Sequence, residues 1–330
     1  MGSLATATAI ALLAGSVLAG CGDGSSTPAI PTTTTTTTTA TTAGPSPSSG
    51  PAPPSTSPAP GAPSPFAGLG AWVDVFDYVP AFAGDPPSVS PTDVAAMADA
   101  GVRTLYVQTG RDDPRSPGAL AHPRLLAELV GAAHDAGVQV VGWYLPTHVD
   151  PDNDAARVRA IATFREGGGF DAIALDIEWI DGVTDVDERN RRLVDLTREA
   201  EQAGGDRPLG AIVFPPVVLD ELNPALWPGF PWGDLAPHVD AWLPMAYWTF
   251  REPTSPHRDP FAYTTANIDR LRFHVGDAPI HVIGGVADRF LADDIGGFVD
   301  AVAARAPLGW SVYDWSTLSA EGRRALAAVP

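Results

Sequence analysis

Residues 170–179 read Phe170-Asp171-Ala172-Ile173-Ala174-Leu175-Asp176-Ile177-Glu178-Trp179. Along a strand, side chains alternate between two faces. Ala174, Asp176 and Glu178 therefore share one face, and Ile173, Leu175 and Ile177 share the other. The second face is wholly apolar, as a surface packed under helices should be. The first then points into an interior and carries two carboxylates at its far end. Two acids that close cannot both ionise freely, so one of them should hold its proton to higher pH. A carboxylic acid protonated near neutrality can donate to a leaving oxygen.

Seven further short runs rich in β-branched and aromatic residues flank this one. They are Ala71–Phe76, Arg103–Gln108, Val138–Tyr144, Leu209–Phe214, Ala241–Tyr247, Ile280–Val286 and Gly309–Trp315. Helical spacing fills the intervals over Thr92–Ala100, Arg124–Ala136, Asp154–Glu166, Val186–Ala203, Ile268–Val275, Ile295–Arg305 and Ala320–Ala328. Gly101, Gly137 and Gly204 stand where helix C-caps belong, and Ser90-Pro91 and Ser319 where helices begin. Strands alternating with crossover-length helices pair in parallel. Eight such units over residues 68–330 predict an α/β fold, a (β/α)8 TIM barrel. An open doubly wound sheet would carry a Gly-rich phosphate turn after its first strand; Phe76-Asp77-Tyr78-Val79-Pro80 is not one. The fifth connection, Pro215–Pro231, is rich in proline and shows little helical pattern.

Composition narrows the function. The 330 residues carry 39 acidic and 20 basic side chains, a formal charge of −19, and all the basic ones are Arg. That excludes the basic footprint of a nucleic-acid binder and of a protein held to anionic lipid by charge. The single Cys, Cys21, excludes an intrachain disulfide and a Cys-based metal or cluster site. The His residues form no His-x-His or His-x-x-x-His pair, so no metal and no cofactor is expected.

The N-terminus has its own logic. Residues 4–18 form an apolar run of signal-peptide length, short for a membrane span. It leads into Leu18-Ala19-Gly20-Cys21, which resembles the lipobox of bacterial lipoproteins. The resemblance implies a signal peptide over residues 1–21, lipidation at Cys21, and an extracytoplasmic protein attached to the membrane through its lipid anchor only. Residues 22–67 form a Thr/Pro/Ser/Ala-rich linker with an unbroken Thr run from Thr32 to Thr39. Such a segment cannot bury enough apolar surface to offset its chain entropy, so a disordered N-terminal tail is expected. Extended as polyproline II, it would reach on the order of 130 Å.

In a barrel of this kind the chemistry sits at the C-terminal ends of the strands. Those ends offer Asp74, Asp77 and Tyr78; Gln108; Trp143 and Tyr144; Asp176, Glu178 and Trp179; Met245, Tyr247 and Trp248; Asp288; and Tyr313, Asp314 and Trp315. Carboxylates supply acid, base or nucleophile, and indole faces pack against sugar rings, so the set reads as carbohydrate chemistry. Trp72, Trp242 and Trp310 lie early or mid-strand and are expected to pack.

The 171–178 segment is similar to the strand-four signature of family 18 glycoside hydrolases, the chitinase-like barrels, whose pattern is Asp-x-x-Asp-x-Asp-x-Glu. Asp171, Asp176 and Glu178 match in register, with Ala174 at the second Asp position. Met245-Ala246-Tyr247-Trp248 partly matches the family's strand-six Met-x-Tyr-Asp, with Trp248 in place of Asp. Trp315 matches the Trp that often ends strand eight, and Val141-Gly142-Trp143 stands where the family has Ser-x-Gly-Gly. The resemblance implies a retaining glycosidase acting on N-acetylated glycan, chitin-like or from peptidoglycan. Glu178 would be the general acid/base, Asp176 would orient the substrate's N-acetyl group, and Tyr247 would donate to it. Asp74, Asp77, Gln108, Trp143, Tyr144, Trp179, Met245, Trp248, Asp314 and Trp315 would bind the glycan. Three other readings of the same residues stay open. One is a retaining enzyme with a protein nucleophile such as Asp288. Another is an inactive glycan-binding barrel. The third is a metal-dependent hydrolase holding a divalent cation on Asp74, Asp176 and Glu178.

Overall fold

A computed structural model describes residues 64–291 and 293–329. The signal peptide, Cys21 and the linker up to residue 63 lie outside the described residues. Eight parallel strands follow one another: β1 (Gly68–Val73), β2 (Thr104–Gly110), β3 (Gln139–Tyr144), β4 (Ala172–Ile177), β5 (Leu209–Val213), β6 (Ala241–Pro244), β7 (His281–Val286) and β8 (Gly309–Tyr313). Their order is β6-β5-β4-β3-β2-β1-β8-β7. Parallel bridges Trp242–Ile280 and Met245–Ile283 join β6 to β7 and close the ring. Between and after the strands run α1 (Val75–Tyr78), α2 (Asp93–Asp99), α3 (Pro123–Asp135), α4 (Pro151–Thr163), α5 (Val186–Gly204), α6 (Trp232–Leu235), α7 (Pro260–Val275), α8 (Asp294–Arg305) and α9 (Ala320–Ala327). The architecture is the (β/α)8 barrel expected from the alternation.

Local chemistry explains the helix ends. The Asp185 side chain caps α5 by accepting from the Glu188 N–H at 3.1 Å. Ser319 Oγ caps α9 from the Gly322 N–H at 3.1 Å. Gly101 and Gly137 take φ of +89° and +73° after their helices. After α5 it is Gly205, at +63°, that turns the chain, one residue beyond the glycine expected, because the helix runs through Gly204. In α3 the buried residues Leu126, Leu129, Val130 and Ala133 recur every three to four positions, the stripe that packs on the barrel.

The described residues begin at Ser64, and the chain packs on the barrel ahead of the boundary expected at residue 68. Phe66 is 0% exposed and plugs the N-terminal mouth of the barrel. Its ring sits against Gly210 at the start of β5. Its carbonyl meets His281 Nδ1, at the start of β7, at 3.0 Å. Pro65 O accepts from Thr104 Oγ1, at the start of β2, at 2.8 Å. A buried chain runs up from this plug. His281 Nε2 meets Ser311 Oγ at 2.8 Å, and Ser311 Oγ accepts from Trp72 Nε1 at 2.8 Å. Burial pulls the His281 imidazole down to about 4, so it is neutral, as that chain requires.

The Pro215–Pro231 connection forms a π-turn at Val218–Leu222 and then packs its aromatics sideways onto α5. Trp227 Nε1 donates to Asn190 Oδ1 at 2.7 Å, and the Arg189 guanidinium lies 4.3 Å from the Trp227 ring.

Candidate active site

The C-terminal mouth holds a cleft of about 600 Å³, part of it open to solvent. It is walled by Trp72, Asp74, Phe76, Gln108, Arg111 and Trp143, by Leu145, Asp176, Glu178 and Ile212, and by Met245, Tyr247, Ile283 and Tyr313. Asp176 is the last inward-facing residue of β4 and is 7% exposed. Glu178, two positions on and half-buried, emerges on the same side. Ala174 and Asp176 turn inward while Ile173, Leu175 and Ile177 pack outward, the alternation expected from the sequence.

β1 ends at Val73, and Asp74 begins α1 as its cap. Its carboxylate accepts from the Phe76 N–H at 2.7 Å, and its own N–H donates to Asp77 Oδ2 at 3.1 Å. The Tyr313 hydroxyl, at the end of neighbouring β8, donates to the other Asp74 oxygen. Gln108 Oε1 accepts from the Val75 N–H at 3.1 Å, and Tyr78 donates its hydroxyl proton to the Gln108 carbonyl at 2.7 Å. Tyr247 follows β6 after Met245, whose N–H donates to the Val213 carbonyl at 3.0 Å.

Burial governs the charges. It pushes the Glu178 carboxyl up to about 7, against the pull of the Arg111 cation. It lifts Asp176 well above the carboxylate range, the Glu178 charge adding to the effect and Arg111 opposing it. Asp74 rises to about 6 through burial and the Asp314 charge, with the Tyr313 hydrogen bond working the other way. Burial also raises the Tyr247 phenol, helped by Glu178 and then Asp176. Asp176 Oδ1 and Trp143 Nε1 are buried without a hydrogen-bond partner among the described residues. The cleft thus offers a proton-bearing acid, an unsatisfied carboxyl oxygen, an unsatisfied indole N–H and a phenol, set among apolar side chains.

The structure brings Asp74, Gln108, Trp143, Asp176, Glu178, Met245 and Tyr247 together in this cleft. Six other residues read from the sequence do not line it. Tyr144 alternates outward from Trp143 and donates its hydroxyl proton to Asp154 Oδ1 at 2.6 Å. Trp248, next to inward-facing Tyr247, is 0% exposed and stacks on Phe290 at 5.5 Å, between barrel and helices. Asp77 is the other half of the α1 capping box and also accepts from Ser88 Oγ at 3.1 Å. Burial and the charges of Asp74 and Asp314 push it up to about 8. Asp314 caps the turn after β8, accepting from Ser316 Oγ at 2.6 Å and the Thr317 N–H at 3.0 Å. Trp315 is buried behind that turn with the Arg323 guanidinium 4.2 Å from its ring. Trp179 is half-buried beyond the wall. The indole at the floor is Trp72, which the sequence reading assigned to packing. It does both, stacking on Tyr106 at 4.3 Å below while its upper side lines the cleft.

Arg111 was missed, and Tyr313, offered by the end of strand eight, was given no role in the site. Both follow from strand ends: β2 continues past Gln108 to Gly110, and β8 stops at Tyr313 rather than Trp315. Alternation counted from those ends would have found Tyr313. Asp288 is exposed on the turn after β7, away from the cleft. Among the described residues no group of three or more His, Cys, Asp or Glu side chains is arranged to hold a metal ion.

No protein-family model matches the sequence, and a search of curated proteins finds no match. Solved structures do match. A class V chitinase from Pseudomonas fluorescens Pf-5 has a TM-score of 0.56 at 12% identity, with 79% of this chain and 98% of that one covered. A chitinase from Bacteroides thetaiotaomicron gives 0.54 at 10% identity, covering 80% and 94%. The class V chitinase of Nicotiana tobaccum gives 0.52 at 11% identity, covering 80% and 98%. At such identities the likeness is one of fold: residues 64–329 form a chitinase-like (β/α)8 barrel.

Proposed function

We propose that this protein is a retaining glycoside hydrolase that cleaves N-acetylated polysaccharide outside the cytoplasm, anchored to the membrane by lipid on Cys21. The observation that carries the reading is the cleft itself. Glu178, Asp176 and Tyr247 meet over a floor of Trp72 in one solvent-open cleft, and burial holds both acids toward their protonated forms.

In this mechanism Glu178 gives its proton to the glycosidic oxygen as the bond from that oxygen to the anomeric carbon breaks. The carbonyl oxygen of the substrate's own N-acetyl group forms the new bond to that carbon from the opposite face. Asp176 Oδ1, lacking a protein partner, accepts from the amide N–H of that group, and the Tyr247 hydroxyl donates to its oxygen. A water then opens the cyclic intermediate while the Glu178 carboxylate takes a proton from it, and the starting configuration is restored. Ala174, where the resembling family has Asp, fits a site in which Asp176 finds its partner on the substrate. Trp248, where that family's second motif has Asp, packs outside the cleft and takes no part.

The test is the anomer released first from N-acetylglucosamine oligomers, followed by proton NMR. The β-anomer is expected before mutarotation. First release of the α-anomer would overturn the retaining mechanism. Tight binding of oligomers with no turnover would favour the second reading, a glycan-binding barrel, for which the altered motif positions Ala174 and Trp248 speak.

A further inference from the structure

Among the cleft-lining residues Arg111 is the only basic side chain. It leaves β2 directly after a bulge, where the pairing with β3 shifts register between Gln108 and Gly110. A bulge re-aims the side chain that follows it, and the surroundings fix this one. Gly110 is closely surrounded: a Cβ there would lie 3.1 Å from the Ala119 carbonyl and 3.1 Å from Arg157 Nη1. The following loop is tied down by Arg157, which donates to the Ser116 carbonyl at 3.2 Å and the Gly118 carbonyl at 2.9 Å. The Arg111 guanidinium rests 5.4 Å from the centre of the Phe76 ring, which also lines the cleft.

Among the described residues the Arg111 side chain makes no hydrogen bond and no ion pair. Its neighbour Arg115 engages Asp113 with two nitrogens, at 3.0 and 2.9 Å. The charge of Arg111 reaches Asp74, Asp176 and Glu178, yet burial outweighs it at all three. No carboxylate of the cleft is paired with the guanidinium, whose planar fork of donors stays open among the described residues. A neutral sugar offers only hydroxyls and amides to such a group. A carboxylate on the sugar would complete it as a charge-assisted, two-toothed pair.

We propose that Arg111 determines specificity by pairing with a carboxylate carried by the glycan, so that the preferred substrate is an acidic N-acetylated polysaccharide. This rests on the glycan-cleft reading above and narrows its substrate class. Two sugar chemistries supply the group: a uronic acid beside an N-acetylhexosamine, or a lactyl ether on the N-acetylhexosamine itself.

The experiment measures binding calorimetrically in a Glu178→Gln background and turnover in the otherwise unaltered protein. The probes are neutral N-acetylglucosamine oligomers, a uronic-acid glycan, a lactyl-ether glycan, and the carboxyl-reduced form of each acidic one. At least tenfold tighter binding of one acidic glycan than of its reduced form is expected, and which one it is identifies the source. Arg111→Gln should bring that preference within twofold, and Arg111→Lys, which keeps the charge, should retain part of it. Equal affinity for acidic and reduced glycans, or a preference that survives Arg111→Gln, overturns the assignment. So does an equal fall of turnover on neutral and acidic substrates, which would mean that Arg111 acts through Glu178 instead. Turnover of neutral oligomers with no acidic preference defeats this inference alone. An Arg111-dependent preference without any turnover defeats the hydrolase reading alone.

Discussion

Glu178 and Asp176 were legible because strand alternation is a strict geometric rule. Two acids at positions of the same parity, opposite an all-apolar set, leave one arrangement that does not bury charge against helices. Their protonation follows from the same burial. If Glu178 acts as the acid, it must carry its proton, so kcat/KM should fall as pH rises through about 7. Stability has a matching sign. The folded protein holds the Glu178 proton up to about 7, whereas a free Glu loses it near 4.5, so between those values the native state binds more protons than the unfolded one. Native stability should therefore decline over that window. Glu178→Gln, which cannot ionise, should lower that slope. Melting temperatures of both proteins at pH 5 and pH 7.5 check this: the gap between the two pH values should be smaller in the variant. Two of the residues wrongly placed in the site, Tyr144 and Trp248, stand next to inward-facing Trp143 and Tyr247. Composition at a strand end cannot tell which member of such a pair faces in until the strand's last residue is known.

At the scale of elements, the sequence located all eight strands but misplaced the ends of β1, β2, β4, β6 and β8 by two or three residues. β1 stops at Val73 because Asp74 and Asp77 together form a capping box and start α1, a local hydrogen-bonding choice that β-rich composition over 71–76 conceals. β2 runs on to Gly110 because a bulge absorbs one residue, and bulges have little sequence signature. The N-terminal plug was hidden for a different reason: Phe66 follows a proline-rich stretch and has no periodicity around it. Its fit is tight all the same. A Cβ on Gly210 would lie 2.7 Å from Phe66 Cε1 and 3.0 Å from Leu243 Cδ1. Gly210→Ala should therefore cost about 1–3 kcal/mol in chemical denaturation. A loss within about 0.5 kcal/mol of zero, the scatter of a neutral surface change, would mean that Phe66 does not fill that mouth.

For the whole molecule, alternation of strand and helix sufficed to read the barrel, and the net charge of −19 sufficed to set nucleic acid aside. Chain direction then orients the domain. The chain enters at the N-terminal mouth through Phe66, while the cleft opens at the opposite end of the strands. A lipid on Cys21 would therefore be joined to the barrel through the end opposite the cleft. Among the described residues no helix is long and apolar enough to cross a membrane. Cys21→Ser in the full chain should move the protein from the detergent-rich to the aqueous phase of a Triton X-114 partition and leave glycan turnover unaltered. Unchanged partition would refute the lipid anchor.

The most direct measurement of the central claim is turnover of N-acetylglucosamine oligomers by the wild type and by Glu178→Gln under identical conditions. Loss of a positioned acid typically costs 10²–10⁴-fold. A fall in kcat of at least about 10²-fold is predicted, with oligomer affinity kept within a few-fold. Equal turnover by the two proteins would contradict the assignment of Glu178 as the proton donor, and the mechanism built on it.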